Sequence, residues 1–324
     1  MAADYDRSAF PWLEVLRIDT IPVLMDAAPL HIRYQLLPDV LNDGESNDFK
    51  DLKKNLRKQK DRRLLFAKQD QNGCWPLSGK TKGLAEGQLQ TLQFIQQIEA
   101  LHALVDLMVT EKQEKALLGM REVIRFLDKD HPPLRLHQLS QAIYLSIALK
   151  LDGNPIIKNL IWDLLKNQHS DGSWSSLPSD QDSCLWTTLF FLWTMGHSEQ
   201  FKNNRTLRKG LKYLEDHLLV PDQSKLLPGM QAWDTLLSGH AGLSVLHGGT
   251  LRYLETYQMF NDNERNRKIE KLVDWLVSVQ LKNGLWPAIV GRDKRGNFEV
   301  TLRALKVVKH FEGLRINDTI EYTE

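Results

Sequence analysis

Apolar residues recur with a helical period through most of the chain, and amphipathic runs alternate with runs that are almost wholly apolar. The stripe Ile157, Ile161 and Leu164 is typical of a helix that buries one face. The run 183–195 is apolar nearly all round, which predicts a helix enclosed by other helices. The pattern predicts an all-α protein.

These runs pair into six hairpins, each a polar outer helix followed by an apolar inner helix. Clear breaks separate them: Asn154 is a suitable N-cap with Pro155 at the first helical position, and Pro132-Pro133 forbids a continuous helix. The predicted helices cover 12–16, 30–41, 48–68, 84–108, 113–128, 137–150, 155–165, 183–195, 205–219, 240–259, 264–279 and 298–312. We expect a loose N-terminus over residues 1–9, a single domain over 10–313 and an irregular tail over 314–324.

A short polar motif separates the outer from the inner helix in three of these hairpins. Each copy has a glutamine, then Asp or Asn followed by glycine, then tryptophan two residues after the glycine. The copies are Gln69, Gly73 and Trp75; Gln168, Gly172 and Trp174; and Gln280, Gly284 and Trp286. Such repetition indicates a repeat protein built from helical hairpins.

The motif has the chemistry of a helix stop and a clamp. Glycine adopts the left-handed conformation that ends a helix without a Cβ penalty. The tryptophan ring offers a large flat surface with one donor, and the glutamine amide can bond free backbone groups at a helix end. We therefore expect the three copies to be architectural.

The segment from Gln168 to Trp174 resembles the Gln/Trp repeat of squalene-hopene and oxidosqualene cyclases and, more distantly, the β subunits of protein prenyltransferases. The resemblance covers roughly residues 50–312. It implies an (α/α)6 toroid, six outer and six inner helices around a central cavity. At 324 residues the chain has room for one toroid.

Composition excludes several classes of function. The net charge of +1 gives no global field to recruit nucleic acid. No stretch is long and apolar enough to span a membrane, and no secretory signal is evident. Two cysteines form no disulfide framework, so the expected compartment is the cytoplasm. The sequence does not determine the oligomeric state.

The sharpest catalytic candidates are Asp180 and Asp182, which lie just before an inner helix. The resemblance implies a comparison with the cyclase motif D-x-D-D-T-A, whose middle aspartate protonates an alkene or epoxide; Asp180 matches its first aspartate and Asp182 the middle one, which makes Asp182 the expected acid. Here Ser183 and Cys184 stand at the positions of the third aspartate and the threonine. Such an acid needs a second carboxyl and a low-dielectric pocket, so the missing carboxyl also favours a helix cap at Asp182 or Ser183.

No cofactor is predicted, and zinc is the alternative. Protein prenyltransferases hold one Zn²⁺ with Asp, Cys and His, and Asp182, Cys184 and His240 are the right residue types. His240 and the nearby His247 lie in no recognisable family motif.

Other residues are candidates for a cavity lining because they lie on inner helices or the loops that lead into them. They are Glu86, His137, Trp186, Trp233, Asp234, His240, Tyr253, Glu299 and Arg303. Glu299 is also a catalytic candidate, since a sugar-cleaving enzyme needs a carboxylate pair and Asp182 with Glu299 or Glu86 would provide one. Glu299 and Arg303 have the spacing of a pair along one helix.

Three functions remain open. The resemblance favours a divergent terpene-cyclase-like or prenyltransferase-like protein that acts on, or only binds, a small isoprenoid or other apolar ligand. The alternatives are a non-catalytic binding or scaffold protein and a carbohydrate-active (α/α)6 enzyme. Fold alone cannot choose among them, and whether the protein is an enzyme is left open by the sequence.

Overall fold

Helices are the main regular elements in the part of the chain that the structure describes. The computed structural model describes residues 6–77, 79, 81–129, 131–177, 179–217, 249–260 and 266–321. Within these ranges the regular elements are helices, and the only extended pairing is a single bridge between Trp286 and Asn297. The all-α class predicted from the hydrophobic period is confirmed. No helix in these ranges is both long and apolar enough to cross a membrane.

The chain forms two compact units. The described part of the central unit covers residues 58–217 with the gaps given above. Its helices are α4 (Lys60–Ala67), α5 (Glu86–Asp106), α6 (Glu114–Leu127), α7 (Leu136–Ala148), α8 (Pro155–Lys166), α9 (Leu185–Gly196) and α10 (Arg205–His217).

In the central unit the inner helices α5, α7 and α9 contact one another in chain order, and the outer helices pack behind them. Helix α6 contacts both α5 and α8, and α10 packs on α9. Every residue of α9 is buried, as its continuous apolar run predicts. Asn154 caps α8, its Oδ1 accepting from the Ile156 amide at 2.9 Å, which confirms the predicted start of that helix.

The terminal unit combines the two ends of the chain, with described residues 6–57, 249–260 and 266–321. A 3₁₀ turn covers Pro11–Val15. The helices of the terminal unit are α1 (Ile21–Ala27), α2 (Leu30–Asp39), α3 (Asn47–Arg57), α11 (Gly249–Phe260), α12 (Arg267–Ser278) and α13 (Phe298–Glu321). Helix α13 contacts α11, α12 and α2, so the last hairpin packs directly on the first.

Each motif glutamine ties its own turn to another element. Its Nε2 donates twice, to the carbonyl of the motif glycine and to a second carbonyl elsewhere in the same unit. The acceptors, at 2.8–2.9 Å, are Gly73 and Lys115 for Gln69, Gly172 and Thr206 for Gln168, and Gly284 and Ile18 for Gln280. Lys115 and Thr206 lie in the first turn of the next outer helix, so the glutamine fastens consecutive outer helices together.

The third motif closes on the beginning of the chain. Gln280 donates to the Ile18 carbonyl and accepts from the Ile18 amide at 3.3 Å. The Thr20 hydroxyl donates to the Gly284 carbonyl. The segment before α1 therefore takes the place that the start of α6 or α10 has in the first two motifs.

Each motif tryptophan closes the end of the outer helix before it. Trp75, Trp174 and Trp286 are at most 2% exposed. Their Nε1 atoms donate at 2.7–2.8 Å to the carbonyls of Leu65, Leu164 and Leu276, which lie in the last turns of α4, α8 and α12. In the first two motifs the ring lies over a glycine of the next outer helix, where a Cβ would come within 2.7 Å of the ring.

The motif glycines combine a left-handed backbone with a close approach of another segment. Gly172 has φ +96°, and a Cβ there would lie 2.6 Å from the carbonyl oxygen of Lys209. Gly83 has φ +88° with nothing within 4 Å of the same position. The two glycines therefore share the backbone requirement, and only Gly172 has the steric one.

Gly172→Ala is expected to lower the free energy of unfolding by about 2 kcal/mol more than Gly83→Ala, because the first change adds a clash to the same backbone strain. Urea unfolding of the two variants followed by circular dichroism measures the difference. Equal losses would show that Lys209 moves aside at no cost.

Four predictions about helix bounds and chain ends are corrected by the structure. The predicted helix 48–68 breaks between α3 and α4, where Gln59 is extended with ψ 132°. The helix predicted at Trp12 is only a 3₁₀ turn, since the chain becomes extended at Leu16 with ψ 138°, and α1 begins at Ile21. Residues expected to be loose include another 3₁₀ turn, Arg7–Ala9, capped by Asp6.

The fourth correction concerns the residues after Gly313, which were expected to be irregular. Helix α13 continues to Glu321. Arg315 binds Glu312 on its own helix at 2.7 Å and Asp274 on α12 at 3.1 Å, and these ion pairs hold the next turn in place.

Candidate functional site

A polar groove of about 490 Å³ lies at the second motif. It is bounded by the end of α8 and the motif turn, residues 166–171, and by the loop before α9, residues 180–183. Its lining includes Lys166, His169, Asp171, Asp180 and Ser183. The motif turn thus serves as one wall of the groove.

Serine hydroxyls connect the two walls. Ser173 Oγ donates to Asp171 Oδ1 at 2.6 Å, and Ser183 Oγ donates to Asp171 Oδ2 at 2.7 Å. The Ser173 amide also donates to Asp171 Oδ1, at 2.9 Å. Both carboxylate oxygens of Asp171 are therefore used within the fold, and the loop before α9 is fixed to the motif.

The same network holds the imidazole of His169. Its Nδ1 lies 3.3 Å from Ser173 Oγ and its Nε2 lies 3.3 Å from Ser175 Oγ. Ser175 Oγ in turn donates to the backbone carbonyl of Asp180 at 2.8 Å. The ring is held between two hydroxyls rather than by a carboxylate, so this is not the arrangement of a Ser-His-Asp triad.

Asp171 is ionised at neutral pH. Burial acts to raise the pKa of this carboxyl, but hydrogen bonds from Ser173 and Ser183, together with the nearby His169, outweigh it and hold the pKa below its ordinary value. Asp171 therefore gives the groove a fixed negative charge.

Other side chains of the groove remain available to a ligand. Among the described residues, the side chains of Asn167, Asp180 and Gln181 have no hydrogen-bond partner, and all three line the groove. They offer one carboxylate and two amides, which can donate and accept hydrogen bonds with the same ligand.

The two predicted acids, Asp180 and Asp182, lie in different environments. Asp180 is half-buried and lines the groove, whereas Asp182 is exposed and does not. An exposed carboxyl lacks the low-dielectric pocket that alkene protonation requires, so the physical basis for a strong acid is missing at Asp182. The cap of α9 is Cys184, whose Sγ accepts from the Thr187 amide at 3.5 Å; it is neither Asp182 nor Ser183.

The zinc alternative gains no support from this region. Cys184 is buried as the helix cap and Asp182 points to solvent. Within the ranges that the structure covers, no group of three His, Cys, Asp or Glu side chains is placed to hold a metal ion. His240, His247, Trp233 and Asp234 lie outside the described residues.

The remaining candidates of the central unit are dispersed over the starts of three inner helices. Glu86 is exposed on α5 and accepts a hydrogen bond from Gln90 at 3.4 Å. Trp186 is 3% exposed and belongs to the core. Burial, with a smaller effect of Arg135, lowers the pKa of His137 to about 4, so this ring on α7 is neutral at physiological pH.

In the terminal unit Arg303 pairs with Glu255 of α11 and not with Glu299, which corrects the predicted pair along one helix. Glu299 is exposed in the first turn of α13, where a carboxylate complements the helix dipole. Tyr253 is fully buried on α11. Both Glu299 and Glu86 are exposed, so neither forms a buried carboxylate pair.

Sequence reasoning missed the parts of the groove that surround Asp180. Asp171 and His169 were read only as part of a structural motif, although the second copy alone combines a histidine and an aspartate with Ser173 and Ser175. That excess of polar side chains in one of three copies was the available signal.

The comparisons with known proteins leave the family open. No protein-family model matches the sequence, and no curated protein matches it. Among solved structures, a polysaccharide lyase is similar with a TM-score of 0.44 and 12% identity, over 89% of each chain. Similarity at this level does not assign the chain to a family, and neither terpene cyclase nor prenyltransferase is established.

Proposed function

We propose that this protein binds a hydroxyl-rich ligand of the carbohydrate class in the groove at the second motif. The observation that carries the proposal is the concentration of polar side chains there: Asn167, Asp180 and Gln181 are available for hydrogen bonds above a platform fixed by Asp171. Each sugar hydroxyl both donates and accepts, and carboxylates and amides match that need.

The charge of the groove narrows the class of sugar. Asp171 and Asp180 contribute two negative charges, and Lys166 contributes one positive charge that is shared with Asp163 at 3.4 Å. A uronic acid polymer would meet net repulsion here. A neutral or amino sugar fits better, because hydrogen bonds to a carboxylate are stronger than those between neutral groups.

An exposed aromatic residue adds a surface for a sugar ring. Trp162 is 47% exposed and lies one turn before Lys166 on the same face of α8. Its ring is held edge-on by Phe201, with 5.5 Å between centroids. A rigid, solvent-facing indole is suited to stack on the apolar face of a pyranose.

The apolar-ligand hypothesis, drawn from the cyclase resemblance, is the alternative. It is supported by the three Gln/Trp motifs, but it needs a buried acid and an apolar lining, and the side chains at 180–183 supply neither. A scaffold without a ligand is the remaining class. A titration with sugar and isoprenoid ligands separates these three hypotheses.

Isothermal titration with cellotetraose, chitosan tetramer, tetragalacturonate and farnesol tests the proposal. We expect one of the first two to bind and tetragalacturonate to bind more weakly. Asp180→Asn should raise the dissociation constant about tenfold, since it removes a charged acceptor. Asp182→Asn is the matched control two residues away, outside the groove, and should leave binding unchanged. Binding of farnesol alone, preference for tetragalacturonate, or no binding at all would each overturn the proposal.

A further inference from the structure

A second cavity, of about 240 Å³, lies at the first motif. One wall is the face of α5 that carries Gln93, Phe94 and Gln97, and the opposite wall is the last turns of α6. Cys74, which precedes the motif tryptophan, forms part of the lining. This cavity differs from the groove described above in being lined mainly by apolar surface.

The three motifs differ in how the tryptophan backbone amide is bound. In the second and third, it donates at 2.9 Å to a threonine hydroxyl, Thr188 or Thr301, in the first turn of the next helix. In the first, Trp75 N donates at 3.3 Å to Oε1 of Gln97, which lies well inside α5. In the first motif the longer side chain of Gln97, from a position farther along its helix, therefore takes the role of the threonine side chain.

The use of a glutamine instead of a threonine leaves one buried hydrogen-bond donor, Gln97 Nε2, without an acceptor among the described residues. Gln97 is 3% exposed, and its Nε2 has no hydrogen-bond partner within the described ranges. The amide of the neighbouring Gln93 is used differently: its Nε2 donates to the Trp75 carbonyl at 2.8 Å. Leaving a buried donor without an acceptor is unfavourable, so a ligand that accepts a hydrogen bond from Gln97 Nε2 removes that penalty on binding.

Aromatic rings provide a flat surface beside this donor. Phe94 and Phe126 lie with centroids 4.8 Å apart, and His131 stacks on Phe126 at 5.4 Å with an angle of 19° between the rings. A planar apolar molecule would cover these rings and place an acceptor group toward Gln97.

Basic side chains predominate at the rim. Glu122 is neutralised by its ion pair with Arg125, and Lys129 adds a positive charge. This excess of positive charge favours an anionic group on the ligand. The thiol of Cys74 stays protonated near neutral pH, because burial first, and then Glu122 and Asp70, raise its pKa. Cys74 is therefore a lining residue and not an activated catalytic nucleophile; it reacts only slowly near neutral pH, because the thiolate is the reactive form.

We propose that this cavity binds a small planar aromatic carboxylate. The aromatic body lies on Phe94 and Phe126, an acceptor oxygen takes the hydrogen bond from Gln97 Nε2, and the carboxylate lies near Lys129. In the second and third motifs a threonine hydroxyl accepts from the tryptophan amide, so within the described residues the unused amide donor of Gln97 belongs to the first motif. It is independent of the carbohydrate groove.

Alkylation of Cys74 reports occupancy, since Cys184, the only other cysteine, is buried and serves as an internal control. The rate with iodoacetamide is measured by mass spectrometry at alkaline pH, where thiolate forms, at increasing 2-naphthoate and with 2-naphthamide as the neutral probe. At ten times its dissociation constant, 2-naphthoate should slow the reaction about tenfold. The amide should protect less.

Two variants locate the site. Gln97→Glu keeps the acceptor for Trp75 N but replaces the donor with a carboxylate oxygen, and should weaken 2-naphthoate binding at least about tenfold. Lys129→Glu should also weaken it, whereas Lys112→Glu, the same charge change beyond the other end of α6, should not. An unreactive Cys184 confirms that each variant is folded. Absence of saturable protection, equal protection by the amide, or undiminished protection in both variants would overturn the proposal.

Discussion

Trp174→Ala is expected to lower the free energy of unfolding by about 3–5 kcal/mol, the range for removing a large buried aromatic side chain. The ring is 1% exposed, contacts Phe191 with centroids 4.9 Å apart, and covers Gly210 of α10. Its loss opens a cavity between α8, α9 and α10 and removes the indole N–H donor from the Leu164 carbonyl. Urea unfolding monitored by far-ultraviolet circular dichroism gives the value.

Two further variants separate the contributions of Trp174. Trp174→Phe keeps most of the packing but loses the donor to Leu164, so about 1–2 kcal/mol of the loss should remain. Trp162→Ala removes the same residue type from the surface of α8, where it is 47% exposed, and should cost less than Trp174→Phe. A loss for Trp174→Ala no larger than that for Trp162→Ala would contradict a clamp between consecutive outer helices.

Glu255→Gln is expected to lower the free energy of unfolding by a similar amount, about 3–5 kcal/mol, because it removes the carboxylate from a buried cluster of charges. Glu255 Oε2 lies 2.6 Å from Arg303 Nη2 and 3.3 Å from Arg252 Nη1, and Arg252 is 4% exposed. The substitution keeps the volume and leaves both guanidinium groups without this counter-charge. The exposed pair Lys212–Asp216 is the control, and Asp216→Asn should change stability by less than about 0.5 kcal/mol.

The same residue gives an acid-dependent signature. Burial acts to raise the pKa of Glu255, but Arg303 and Arg252 outweigh it and hold the pKa below its ordinary value of 4.5. As pH falls below about 4.5, the unfolded chain takes up this proton before the folded protein does, so stability falls. The Gln variant should lose this part of the pH dependence. Unfolding free energies measured between pH 3 and 7 for both proteins test it, and parallel curves would contradict the buried ion pair.

The hydrophobic pattern was sufficient for the helices because most of them bury a stripe that repeats with the helical period. Helix α8, with Asn154 and Pro155 at its start, shows how far local chemistry determines a boundary. Predictions failed where a boundary depends on distant contacts. The turns of α13 beyond Gly313 are anchored by Asp274 on another helix, and no local pattern indicates that.

The site was harder to predict because it depends on small polar residues that serve two purposes. Asp180 was identified from its place before an inner helix, but its neighbour Asp182 was ranked above it on the resemblance alone. Whether a loop carboxylate faces a groove or solvent is set by contacts such as Ser183 with Asp171, twelve residues apart. Gln97 was missed for a related reason: glutamine on a long helix is common, and its unused donor exists only because Trp75 occupies the other end of the amide.

Because Gln280 binds Ile18, we expect the two units to fold at different stages of synthesis. These residues are 262 positions apart, so the contact forms only after the ribosome has made the chain as far as Gln280. The motifs at Gln69 and Gln168 find their partners, Lys115 and Thr206, within 46 and 38 residues. The central unit can therefore begin to fold on the ribosome. The apolar faces of α1 and α2 stay exposed until α12 and α13 have been synthesised. Chaperones that act on nascent chains would meet the terminal unit, rather than the central one, in its unfinished state.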